Sequence, residues 1–147
     1  MIKTYRGLLT DGEQAKIRLS TKKGKIGYRI VKFQAMSNQP TTVAVEAVLK
    51  IFKITQTSVT ELIDFSDGNL LAVCLWTASG TADENPQNLS VMFDQEQFNQ
   101  DIFITYTTTL GSEKCNYYLE LESFSMTDNA AAVSTLRDIR LNPQVGA

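Results

Sequence analysis

Between Lys114 and Leu141 the hydrophobic pattern changes period within a few residues, and that change limits the folds open to the chain. Tyr117, Leu119 and Leu121 alternate with Tyr118, Glu120 and Glu122. Successive strand side chains point to opposite faces, so one face is apolar and the other aromatic and acidic. After Thr127 or Asp128, either a good N-cap, the spacing becomes helical. Ala132, Leu136 and Ile139, or equally Val133, Leu136 and Arg140, follow the i, i+3, i+4 rule of a surface helix. Arg137 and Arg140 suit its last turn, and Asn142-Pro143 stops it. A half-wet strand feeding a narrow-striped helix predicts a sheet, a helix at about 128–141 and a short tail at 142–147. The helix is expected to dock on the parent sheet, on a neighbouring subunit, or on both.

Upstream, short alternating runs separated by turn signals predict more strands. Ile2 to Leu8 and Gln14 to Ser20 flank Thr10-Asp11-Gly12-Glu13 and read as a hairpin with one wet face. In Tyr28 to Met36, Arg29, Val31, Phe33 and Ala35 share one face and Tyr28, Ile30, Lys32 and Gln34 the other. Thr42 to Ile54 suits one bent strand or two short ones, with a helix as the rival reading of its middle, EAVLKIFK. Val59 to Phe65 reads as a strand, and Leu70 to Trp76 as one buried on both sides, with Trp76 in the core or at its edge. Thr77 to Asn88 is the longest loop candidate, either a contact site or a surface excursion. Leu89 to Phe93 and Gln100 to Thr108 resume as strands around a polar turn at 94–99. Eight to ten short strands predict a mostly β chain, an antiparallel β-sandwich or jelly-roll-like domain with one C-terminal α-helix. With 147 residues, 43% of them apolar, a single domain spanning 1–147 can bury a core unaided.

Several chemistries lose their usual residues. The chain has no histidine, which removes the commonest general base and metal ligand. Cys74 and Cys115 form no CxxC and sit in apolar runs, so they are expected as reduced core thiols. Glu120 and Glu122, roughly 7 Å apart on one strand face, have the separation of a glycosidase pair, but such pairs usually come from different strands. A solvated face is the simpler reading. The loop from Thr21 to Gly27 holds three lysines and two glycines but lacks the P-loop pattern, and a strand rather than a helix is expected to follow. No enzymatic activity, metal or cofactor is expected. No apolar run approaches the ~20 residues of a membrane span, and MIKTYRG lacks a signal-peptide core.

Charge divides unevenly along the chain. Residues 1–73 carry 11 Lys/Arg against 6 Asp/Glu, and 74–147 carry 3 against 10. Unless the fold interleaves the two halves, the molecule has a positive and a negative side. That asymmetry is either incidental or suited to head-to-tail association, or to docking on an acidic surface. The candidate contact residues are Lys16, Arg18, Lys22, Lys23, Lys25 and Arg29, with Asp83 and Glu84 in the long loop and Leu136, Arg137 and Arg140 on the helix.

MIKTYRGLLTDGEQAKIRL at the start, FDQEQFNQDIFIT from Phe93 to Thr105, and CNYYLELESFSMTDNAAAVSTLRDIR together resemble small virion structural proteins of marine tailed bacteriophages. The resemblance covers nearly the whole chain. It implies a copy-rich capsid decoration, cement or knob protein, assembled in the host cytoplasm and resident in the virion. It implies other virion proteins as partners, a homo-oligomer, and neither nucleic acid nor membrane. A β-sandwich that binds carbohydrate or a host-surface ligand, with Trp76, Tyr106, Tyr117 or Tyr118 as stacking groups, is the alternative.

Overall fold

The alternating runs become β1 (Ile2–Leu9), β2 (Gln14–Ile17), β3 (Ile26–Ser37), β4 (Ala44–Phe52), β5 (Leu70–Ser79), β6 (Gln87–Met92), β7 (Ile102–Thr108) and β8 (Cys115–Ser125), followed by α1 (Asp128–Leu141). The structure, a computed structural model, describes residues 1–40, 44–79, 87–109 and 113–141. A three-stranded sheet in the order β1-β8-β3 packs on a five-stranded sheet in the order β2-β7-β4-β5-β6, and every pairing is antiparallel. The steps β1 to β2, β3 to β4 and β7 to β8 each pass from one sheet to the other. That wrapping is the jelly-roll form of a β-sandwich. Here β6 hydrogen-bonds to β5 and packs beside β3.

The inner faces of both sheets meet in one apolar layer. Phe33, Leu119 and Leu121 come from the smaller sheet and Leu49, Ile51, Ile102 and Ile104 from the larger, all essentially inaccessible to water. Each such side chain stabilises the fold by about 1.5–3 kcal/mol through burial. Cys74 and Cys115 are both buried free thiols in this layer, as their apolar surroundings predict.

The wrapping corrects several expectations from sequence. The first two strands form no hairpin with each other, because β1 pairs with β8 and β2 with β7. The Asp-Gly signal does make a turn: Glu13 N–H donates to Thr10 C=O, and Gly12 takes φ 79°, a left-handed conformation that favours glycine. The turn redirects the chain between sheets, and β2 ends at Ile17 rather than Ser20. In β3 a bulge between Ile30 and Lys32 inserts one residue, so Tyr28 and Ile30 face inward before it and Phe33 and Ala35 after it. Strict alternation had placed those pairs on opposite faces.

The run from Thr42 to Ile54 yields one strand, β4, within the described residues. Val59 to Phe65 is not a strand. It belongs to an irregular hook, 53–69, whose apolar residues lack a period of two. The long loop shrinks, since β5 runs to Ser79 and β6 starts at Gln87; the remainder, 80–86, lies outside the described residues. The supposed polar turn at 94–99 ends in Phe98 and Asn99, both buried, with Phe98 bridging to Tyr28.

Thr127 caps α1, its hydroxyl accepting from Ala130 N–H at 3.2 Å. The buried face holds Ala131 and Ser134, while Val133 and Leu136 are 66% and 55% exposed and Ala132 is exposed too. The described members of the two expected stripes, Ala132, Val133 and Leu136, do not face the sheets, because polar contacts dock this helix. Asn99 Nδ2 lies 2.9 Å from Gly24 C=O, 2.8 Å from Thr135 Oγ1 and 3.4 Å from Ala131 C=O, and Ser134 Oγ donates to Asn99 Oδ1 at 3.3 Å. Small helix residues allow that close approach. Gly24, at φ 63°, would bring a Cβ to 3.2 Å from Asn99 Nδ2.

Candidate functional site

The register puts β8 between β1 and β3, so acidic and basic halves of the chain interleave. On the outer face of the smaller sheet, Glu120 lies between Thr4 and Lys32, and Glu122 between Ile2 and Arg29. Arg29 is ion-paired with Glu122, and Tyr118 O–H donates to Glu120 at 2.7 Å. The two glutamates are thus held in cross-strand and neighbouring contacts of a charged face.

Lys16 on β2 pairs with Asp101 at 3.4 Å. Backbone N–H groups of Leu19 and Ser20 also donate to Asp101, at 2.7 and 2.9 Å, and these bonds hold its carboxyl below the usual range although burial pushes the other way. Arg18, Lys22, Lys23 and Lys25 are exposed in the connection from β2 to β3, which is tied to the start of α1 by Met126 N–H donating to Lys25 C=O. The basic loop and the helix, far apart in sequence, are therefore neighbours. Leu136 is exposed on that helix. Asp83 and Glu84 lie outside the described residues, as do the side chains of Arg137 and Arg140.

The outer face of the larger sheet has a different composition. One row crosses all five strands, Gln14, Thr105, Lys50, Val73 and Val91. The hook covers part of it. Gln14 donates to Gln56 C=O and accepts from Gln56 N–H, and Lys50 Nζ donates to Leu62 C=O at 2.6 Å while sitting 5.4 Å from the centre of the Phe52 ring. Burial lowers the Lys50 ammonium's pKa, with Glu61 and Asp67 opposing that shift. Lys53 joins Glu96 at 3.0 Å, and Phe65 meets Phe93 edge to face. The next row ends in Leu75 and Leu89. Leu89 and Val91, on the edge strand, are 62% and 37% exposed, and Leu62, Ile63 and Phe65 of the hook are exposed as well. Sequence reasoning missed this patch because it read 59–65 as a strand.

A second feature opens where β3, the edge of the smaller sheet, meets β5 and β6. A groove of about 340 Å3 is lined there by residues 34–36 and 116–118, together with Trp76 and Asn88. Asn88 is fixed in the lining, with Nδ2 donating to Ala35 C=O at 2.7 Å and lying 3.4 Å from Cys74 Sγ. Three of the four proposed stacking residues, Trp76, Tyr117 and Tyr118, come together here, although nothing in their sequence spacing shows it. Tyr106 does not, being buried in the core with its O–H donating to Glu113 C=O at 3.0 Å. The Tyr117 ring lies across Gly7, where a Cβ would come within 2.7 Å of it.

No helix among the described residues is long and apolar enough to cross a membrane. No protein-family model matches this chain, and no curated protein matches it. Among solved structures, Bacillus endospore appendages described as a novel family of disulfide-linked pili align at 12% identity and a TM-score of 0.31, covering 86% of this chain and 89% of theirs. A likeness that distant carries no argument about function.

Proposed function

We propose that this chain is a virion structural protein of a tailed bacteriophage, a capsid decoration or cement component that acts by protein–protein contact as a homo-oligomer. The observation that carries the contact reading is the apolar outer face of the five-stranded sheet, where Leu89 and Val91 lie exposed on an edge strand beside the exposed hook residues Leu62, Ile63 and Phe65. Proteins manage such edges with charge, proline or a covering element, and large exposed apolar patches mark interaction sites. The virion assignment rests on the sequence resemblance. Repetition on a lattice would let individually weak contacts add up.

The test is binding to purified capsids that lack this protein. Saturable binding at lattice stoichiometry is expected for the unaltered chain, and loss of binding with unchanged circular dichroism is expected for the double variant Leu89→Asp, Val91→Asp. Undiminished binding by that variant would move the contact elsewhere, with the basic 18–25 loop and Leu136 next in line. Failure of the unaltered chain to bind any capsid would remove the virion reading.

A further inference from the structure

We propose that the groove between β3 and the β5–β6 edge is a binding site for a neutral sugar. The site goes beyond the capsid-contact reading and does not depend on it. Three carboxamides, Gln34, Asn88 and Asn116, line the groove together with the apolar surfaces of Met36, Trp76 and Tyr118. A carboxamide both donates and accepts, as neighbouring sugar hydroxyls require, while the C–H face of a pyranose suits an aromatic or thioether surface. Among the described residues, none that lines the groove carries a charge. Phosphates, sulfates and uronic acids would find no counter-ion there.

Trp76 supplies the second observation. It is only 6% exposed, and its indole N–H is buried without a hydrogen-bond partner. Buried donors are nearly always paired, so an unpaired indole N–H on a residue that lines the groove is a donor that a ligand oxygen can reach once the side chain adjusts. The volume, about 340 Å3, falls within the ordinary range for small-ligand sites and accommodates one or two sugar rings.

Trp76 is the only tryptophan and lines the groove, so its fluorescence can report on occupation of the site. The full chain is titrated with glucose, galactose, mannose, N-acetylglucosamine and their disaccharides, with glucuronic acid and an uncharged leucine-rich peptide as comparisons. At least one neutral sugar is expected to shift the emission saturably, with a dissociation constant on the order of 1 mM for a single ring. Asn116→Ala and Gln34→Ala, both at exposed positions, are each expected to weaken that binding about tenfold, roughly the loss of one hydrogen bond, with circular dichroism unchanged. No saturable response to any neutral sugar, equal binding of glucuronic acid, or tighter binding of the peptide would each overturn the proposal. Capsid binding measured in parallel keeps its failure distinct from failure of the coat reading.

Discussion

On the outside of the three-stranded sheet, Glu120 and Glu122 sit in register with Lys32 and Arg29; on the outside of the five-stranded sheet, Val73 and Leu75 sit in register with Val91 and Leu89. The first face is finished in water. Its charges are compensated across strands, and such pairs need nothing further. The second is finished only in part, because the hook tied down by Lys50 and Gln14 covers the β2-β7-β4 side and leaves the β6 edge apolar and open. Two sheets with a common interior can therefore present opposite demands to their surroundings, and the unfinished face is where a partner gains most by burying surface.

The largest expected effects test whether the interior is common. Leu119→Ala and Ile104→Ala remove fully buried side chains from opposite sheets, and each is expected to cost about 2–5 kcal/mol in urea unfolding. A large cost at one site and almost none at the other would mean that the sheets do not share a core.

Raising the pH should attack the same interior. Burial pushes the Cys74 thiol up from 9.0 to about 11, Cys115 from 9.0 to about 12 and the Tyr106 phenol from 10.0 to about 12. Above the ordinary values the unfolded chain loses these protons first. The folded chain then binds more protons, and stability falls as pH rises through that window, by about 1.4 kcal/mol per pH unit for each group. Lys50 works weakly the other way, since its lowered pKa lets the folded chain release a proton sooner. Unfolding midpoints that stay flat from pH 8.5 to 10.5 would contradict the burial of the two thiols.

Smaller effects separate the outer faces. Lys50→Met keeps the stem but releases the hook; water can hydrate the freed Leu62 carbonyl, so the loss should sit near the lower end for a charged hydrogen bond, about 1.5 kcal/mol. Proteolysis within 53–69 should accelerate, and an unchanged cleavage rate would show that Lys50 does not hold the hook. Arg29→Ala on the charged face should cost less than about 1 kcal/mol, and less still in high salt, because both partners are over a third exposed. A loss as large as that of Lys50→Met would mean that the charged face depends on the Arg29–Glu122 ion pair.

Much of the strand content was legible because most strands alternate or are continuously apolar, and period is a local property. The hook was not legible. Val59, Leu62, Ile63 and Phe65 are apolar enough for a strand, and only the absence of a strand paired with them among the described residues shows that they form none. The helix was found from Thr127 and Asn142-Pro143, but its buried side was misread, because Asn99 and Gly24, the groups that dock it, are more than a hundred positions away for Gly24 and nearly thirty for Asn99. Of the candidate charged residues, Lys16, Arg18, Lys22, Lys23 and Lys25 are exposed and Arg29 is half-buried beside Glu122, while the groove was invisible because its lining comes from four strands.

By itself, the sequence determined that this chain makes strands, a turn at Asp11-Gly12, a capped helix after Thr127 and buried thiols, since each follows from local propensity or local hydrophobic pattern. Tertiary structure alone decided that β1 and β2 belong to different sheets, that a bulge near Val31 reverses the faces of β3, and that Trp76, Asn88, Asn116 and Tyr118 meet. Those outcomes depend on which strand edges find one another. Partner choice is a property of the whole set of strands, and no local pattern contains it.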